Sequence, residues 1–352
     1  MSAPTSRRLR VLLTNDDGPP TAKTGSSPFV YPFAKALVER LGWDVRVVVP
    51  STQKSWVGKS YLIAEKTAGR YFYPDPKSED GTQGETRELP RGVDKDAGEI
   101  MEWVLLDGTP ATCASIALHN LFPPESFDLC ISGPNFGRNT SSSFALSSGT
   151  LGAALAASLS GVNSIALSWG LMEGYKPASD DLVDAAVKVS CDVVKRLFEL
   201  GWGEGPDKVD VYSVNVPLMP SILDKPEVHW TTMAHTRYGR LFKSISEPAS
   251  SSAADQGGPA AIPEPDESSI KNVCDGDEDL MVKDEHLSQK LHFAFAPDIH
   301  HLVNPRPEDM REGEDRTSLH YGGVSVTPVR AAFAEAPVPK GIPLIDGYKW
   351  RL

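Results

Sequence analysis

Short apolar runs alternate with helix-period patterns along most of the chain as far as Val216. Leu9–Leu13 reads as a strand that stops at a polar turn, Thr14-Asn15-Asp16-Asp17-Gly18. Phe29–Leu41 repeats apolar residues at helical spacing, and Pro32 predicts that its regular part starts late. Asp44–Val49 predicts a second strand, and Met101–Leu105 and Asp128–Ser132 two more, flanking a helix over Ala111–Leu121. A small-residue helix follows over Ser148–Ser160, then a strand at Ser164–Ser168. Ser179 is the expected cap of an amphipathic helix to about Leu200, with Asp180 and Asp181 in its first turn. Val209–Val216 closes the series, and Leu291–Phe295 and Gly323–Val329 read as later strands.

Strand–helix alternation of this kind implies an α/β fold with a mostly parallel sheet covered on both faces. Ligands then bind at the carboxyl ends of the strands, so polar turns that follow strands become the places to look. Pro74–Glu99 and Glu247–Glu285 break the pattern with Asp, Glu, Gly, Ser and Pro and read as inserted, flexible surface segments. The expectation is a single domain over 1–352, its core at about 8–245 plus 288–335.

Composition narrows the function. With 352 residues, 40% hydrophobic and 23% charged, the chain can bury a sizeable core. A net charge of -12 argues against a nucleic-acid polymer as partner, because phosphate backbones call for a basic face. It leaves room for a small phosphorylated substrate, since one metal ion inverts the field at a site. Four scattered cysteines (Cys113, Cys130, Cys191, Cys274) fit a reducing compartment. Neither a signal-peptide pattern nor a membrane-length apolar run is present, so a soluble, cytoplasmic protein with no membrane partner is expected.

Four polar turns carry candidate chemistry. In Asn15-Asp16-Asp17-Gly18, two adjacent carboxylates in a turn can both face one hard cation, which neighbours in a regular strand could not; an Asx turn accounts for the same letters. Ser132-Gly133-Pro134-Asn135-Phe136-Gly137-Arg138-Asn139 allows close backbone approach to a ligand, or is an ordinary tight turn. Ser147-Ser148-Gly149-Thr150 opens a helix, so it is an anion site or simply an N-cap. Pro50-Ser51-Thr52-Gln53-Lys54-Ser55 could turn its hydroxyls and Lys54 to the same crevice, or be a solvated loop. No G-x-x-x-x-G-K-[ST] or G-x-G-x-x-G motif is present, which removes the P-loop and dinucleotide readings.

Taken in order, VLLTNDDG (Val11–Gly18), VVVPSTQKS (Val47–Ser55), LDGTPATC (Leu106–Cys113), SGPNFGRN (Ser132–Asn139) and SSGTLGAAL (Ser147–Leu155) resemble the signatures of the SurE (survival protein E) nucleotidases. VYSVNVP (Val211–Pro217) and YGGVSVTPV (Tyr321–Val329) resemble two later ones, so the resemblance spans nearly the whole chain outside the two insertions. It implies a Rossmann-like three-layer α/β/α core with a C-terminal β-rich oligomerisation extension, and hydrolysis of nucleoside 5′- and 3′-monophosphates or, in eukaryotic members, acid phosphatase activity. The metal ligands it implies are Asp16, Asp17, Ser55 and Asn135, holding Mg²⁺ or Mn²⁺. Phosphate contacts fall on Asn139, Ser148, Gly149 and Thr150, and the catalytic roles on Asp16, Asp17 and Asn139. A homodimer or homotetramer is expected with it.

The chain departs from the pattern at the crevice mouth. The turn after Gly18 is long, and Trp56-Val57 stands where bacterial relatives have small residues, which bears on substrate preference. Asn139-Thr140-Ser141 is a formal glycosylation acceptor placed where a glycan could not sit. His235 and His320 are possible general acids or plain structural histidines. Aspartyl-phosphate hydrolases space their two aspartates by one residue and do not match. A catalytically silent metal- or nucleotide-binding regulator is the competing reading, with no missing ligand type to support it.

Overall fold

In the computed structural model, residues 7–20, 28–171, 178–224, 226–244 and 291–334 are described. Their main sheet has ten strands in the order β4-β3-β5-β2-β1-β6-β7-β8-β12-β9. The six at its centre are parallel: β5 (Trp103–Leu106), β2 (Asp44–Pro50), β1 (Arg10–Thr14), β6 (Leu129–Phe136), β7 (Ser164–Leu171) and β8 (Val211–Leu218). Chain order runs outward from β1 through β2 to β5, then resumes on the other side of β1 with β6, β7 and β8. The sheet therefore has a switch point between the carboxyl ends of β1 and β6, where a parallel α/β sheet opens a crevice.

Side-chain alternation makes the three layers. Val11 and Leu13 face one way, with α1 (Val30–Glu39) and α5 (Asp180–Leu200) packed over them, whereas Leu12, Val48 and Cys130 face the other, under α2 (Pro110–Ile116) and α4 (Gly149–Leu159). Cys113, Cys130 and Cys191 are free, buried thiols, as expected of small core residues. Among the described residues no helix is long and apolar enough to cross a membrane.

Several expectations needed correction. Helix α1 starts at Val30, before Pro32, because a proline in the first turn lacks only an N–H that would be unpaired there. Ser179 does occupy the N-cap of α5, but its hydroxyl makes no cap bond; its carbonyl takes Leu182 and Val183 instead. Helix α2 widens into a π-turn at Ala117–Leu121. Pro74–Glu99, read as an insertion, carries β4 (Gly84–Arg87), paired with β3 (Gly69–Pro74) at the sheet edge. Arg91 staples that segment through Glu85 and Glu99. The other inserted segment, 247–285, lies outside the described residues.

The C-terminal part contributes β12 (Val324–Val329), antiparallel to β8, with β9 (Val228–Trp230) parallel to it at the edge. β10 (Phe242–Ser244) and β11 (Phe293–Phe295) form a separate two-stranded ribbon, so the strand expected at Leu291–Phe295 is real but outside the main sheet.

Helix α4 is built of small residues because the loop after β2 lies against it. A Cβ on Gly152 would stand 2.4 Å from the Gly58 carbonyl oxygen, a backbone atom that cannot swing aside. Gly152→Ala is therefore expected to lower stability by about 1–3 kcal/mol despite the better helix propensity of alanine. Thermal unfolding checks this, and a stabilised variant would show that the loop does not pack there.

Candidate active site

The turn after β1 is closed by its own side chain. Asn15 Nδ2 donates to the Gly18 carbonyl at 2.7 Å, and the Gly18 N–H donates back to Asn15 Oδ1 at 3.0 Å. Asn15 and Gly18 thus do the turning, as an Asx turn should. That leaves Asp16 and Asp17 for other partners. Both are buried, at 3% and 2% exposure.

Asp16 reaches the start of α4, and Asp17 reaches the end of β6. Thr150 Oγ1 donates to Asp16 Oδ1 at 2.7 Å, with the Gly149 and Thr150 N–H groups adding to the hold. Gly149 has to be glycine here: a Cβ would lie 2.7 Å from Asp16 Cβ. The Phe136 N–H donates to Asp17 Oδ2 at 2.8 Å, and the Gln53 side chain also bonds Asp17. From the third side, the Lys54 N–H donates to the Asp16 carbonyl at 2.6 Å, which brings the loop carrying Ser55 alongside the pair.

Asn135 sits at the end of β6 with its Nδ2 turned to the Gly137 carbonyl at 2.9 Å, so the oxygen is the other end of the amide. Asn139 is held from below by two strands: its N–H donates to Asn215 Oδ1 and its Nδ2 to Ser168 Oγ, each at 2.8 Å. Asn215 and Ser168 went unnoticed in the sequence. Their only signal was a polar residue inside an otherwise apolar strand, as in VYSVNVP. Ser148 Oγ accepts from the Leu151 N–H at 3.1 Å and is an N-cap; the hydroxyl of Thr150 is spent on Asp16. Hence the two hydroxyls at this helix start, and the N–H groups of Gly149, Thr150 and Leu151 with them, serve the protein itself, and the carboxylate of Asp16 takes the place that the helix end offers to negative charge.

The glycosylation triplet Asn139, Thr140 and Ser141 is buried throughout. His235 is exposed on the loop beyond β9, and His320 ends the short helix Asp315–His320 with its ring against Tyr321; neither hydrogen-bonds to the residues above.

Electrostatics is the telling feature of the pair. Burial pushes Asp16 up to about 6, against the bonds from Thr150 and the helix start that favour its charged form. Asp17 is raised well above the usual carboxylate range, by burial first and then by the charge of Asp16. Among the described residues no Lys, Arg or His forms an ion pair with either of them. Thr14 Oγ1, Ser132 Oγ and Gln53 Oε1 are buried nearby without protein partners. Two desolvated carboxylates amid unpaired hard oxygen donors fit a hard divalent cation, which would supply the missing positive charge.

The family described as Survival protein SurE matches residues 11–240. This chain belongs to the SurE family. A Saccharomyces cerevisiae protein titled "Probable tubulin-tyrosine ligase PBY1" is 34% identical over 92% of this chain, which spans 41% of that longer protein. An Archaeoglobus fulgidus protein titled 5′-nucleotidase SurE is 31% identical over 98% of this chain and 100% of its own length. The crystal structure of a SurE protein from Aquifex aeolicus superposes with a TM-score of 0.55, covering 92% of this chain and 94% of that one at 21% identity, a likeness of fold. The expected Rossmann-like core thus holds for this SurE chain.

A raised carboxyl pKa has a definite sign. The folded state holds a proton on Asp16 that the unfolded state, at 3.8, releases, so its contribution is fully present below about pH 4 and is lost as pH rises through about 6. In metal-free protein, Asp16→Asn should therefore be little changed at pH 4 and more stable than wild type by about 3 kcal/mol above pH 6. Chemical denaturation at the two pH values in EDTA checks this. A variant destabilised equally at both would show that burial is not what sets this carboxylate.

Proposed function

We propose that this chain is a divalent-metal-dependent phosphomonoester hydrolase acting on nucleoside 5′-monophosphates, with 3′-monophosphates also accepted. The observation that carries this reading is the meeting of two buried, adjacent carboxylates with the N-terminus of α4 at the switch point of a parallel sheet. The positive end of a helix dipole and a cation-demanding carboxylate pair at one place suit a phosphate ester held on a metal. The 5′-nucleotidase titles of relatives such as the archaeal one support the same choice.

In this proposal Asp16, Asp17, Ser55 and Asn135 hold Mg²⁺ or Mn²⁺, all through oxygen, as hard cations prefer. When bound, the ion supplies polarisation of the phosphoryl oxygens and a water of lowered pKa. Thr150 fixes Asp16 by Oδ1, which leaves Oδ2 to accept a proton from attacking water. Asn139, locked by Asn215 and Ser168, and the dipole at the start of α4 around Ser148, Gly149 and Thr150 favour the phosphate and its developing charge. Because their partners are strands of the sheet, these donors need little reorganisation during reaction.

Two further points belong to the same proposal. The chain is one domain with its core at about 8–245 plus 288–335. Its C-terminal part joins copies into a dimer or tetramer, in keeping with the exposed Trp230 and Tyr321 there.

Phosphate release from 5′-AMP, 3′-AMP and p-nitrophenyl phosphate with Mg²⁺, with Mn²⁺ and in EDTA tests the activity. Release abolished by EDTA, and reduced roughly 100-fold or more in Asp17→Asn, is expected. Release indifferent to EDTA would remove the metal from the proposal, and none from folded protein with either ion would remove the hydrolase.

A further inference from the structure

Trp56 stands directly after Ser55 and holds φ at 64°, a left-handed backbone that bulky residues rarely adopt. The loop is pinned on both sides of it. Two residues earlier, the Lys54 N–H donates to the Asp16 carbonyl at 2.6 Å; two residues later, the Gly58 N–H donates to the Ser147 carbonyl at 2.9 Å. Two residues of chain reach at most about 7 Å, so with the hydrogen bonds added the Trp56 backbone is held within about 10 Å of the Asp16 and Ser147 carbonyls. Gly58 also lies against Gly152 of α4 without room for a Cβ between them, so the loop cannot settle inward.

Rings from three other parts of the chain meet the indole. Phe144 of α3 (Ser141–Ser147) is 5.9 Å away, Tyr238 6.2 Å and Phe295 of β11 5.2 Å, with Phe242 a further 5.6 Å beyond Phe295. Tyr238, Phe242 and Phe295 are 42%, 55% and 38% exposed, so the cluster opens to solvent instead of closing a core. Strained backbone persists where surrounding contacts over-determine it, and such sites gather at ligand clamps. Here that strain presents an aromatic surface beside the carboxylate pair, about where the organic half of a bound phosphate ester must lie.

We propose that the cluster around Trp56 is the subsite for the base of a nucleoside monophosphate, which stacks on it while the phosphate occupies the carboxylate centre. This inference rests on the hydrolase reading above. Stacking needs only a π-face, so the subsite favours base-bearing esters over base-free ones and tolerates different bases.

The test compares kcat/KM for 5′-AMP with kcat/KM for ribose 5-phosphate, an ester of the same sugar without a base. Trp56→Gly accepts the positive φ and removes the ring; Trp56→Phe keeps a ring. Phe295→Ala probes the cluster from another element. The AMP-to-ribose-phosphate ratio should fall roughly tenfold in Trp56→Gly, mainly through KM for AMP, and less in Trp56→Phe and Phe295→Ala. An unchanged ratio in folded variants overturns the subsite. A change in subunit number with the ratio unchanged overturns it too, and makes the cluster a contact between copies. Wild-type protein inactive on both esters with Mg²⁺ and Mn²⁺ instead overturns the hydrolase reading, and the subsite falls with it.

Discussion

Taking two adjacent carboxylates out of water is costly, and the structure around the end of β1 is organised by that cost. Desolvation alone would neutralise both groups. Against it stand the Thr150 hydroxyl, the N–H groups at the start of α4, a backbone N–H from β6 and the Gln53 side chain, which lower but do not cancel the upward shifts. The pair remains short of positive charge. A fold that buries such a pair without a basic partner among the described residues keeps an electrostatic demand that a hard cation would meet, at a cost in the stability of the metal-free chain.

The rest of the architecture holds this arrangement in place. Strand order puts β6 beside β1, so Phe136 and Asn135 arrive next to Asp17. Helix α4 comes close only because Gly149 and Gly152 carry no side chains, and the β2 loop closes the third side through Lys54. Behind Asn139, Ser168 and Asn215 are paired in register across β7 and β8, and Asn215 is paired in turn with Ser325 of β12. Further back, the buried carboxylate of Asp315 takes the N–H of Ser141 at 2.8 Å and that of Ala234 at 3.0 Å. The C-terminal part is therefore tied to the loop that carries Asn139.

Much of this was readable in the sequence where local pattern and tertiary role agree. The central strands centre on short apolar runs; the turn holding Asp16 and Asp17 follows β1 and Asn139 lies just past β6, as the α/β rule requires, whereas Asn135, read as part of that turn, belongs to the last residues of β6 itself. Less legible were elements that depend on distant partners. Helix α3 is a serine-rich stretch with poor propensity, started at Ser141 with φ 70° under the grip of Asp315 from 174 residues away. Strands β3 and β4 lie at a sheet edge, where partial exposure blurs the alternation. Within the site, residue types could be picked out but not their bonds. That Thr150 serves Asp16, 134 residues away, and that Ser148 is only a cap, are facts of packing.

The most direct test of the central claim is to count protons when the metal binds. A buried carboxylate pair with raised pKa values must lose protons to a cation it coordinates. Calorimetric titration of Mn²⁺ into the protein at about pH 6, in two buffers of different ionisation enthalpy, measures that release. The account predicts binding accompanied by loss of a proton or more per ion, with both effects gone in the Asp16→Asn, Asp17→Asn double variant. Binding without proton release, or binding that survives the double substitution, would contradict it.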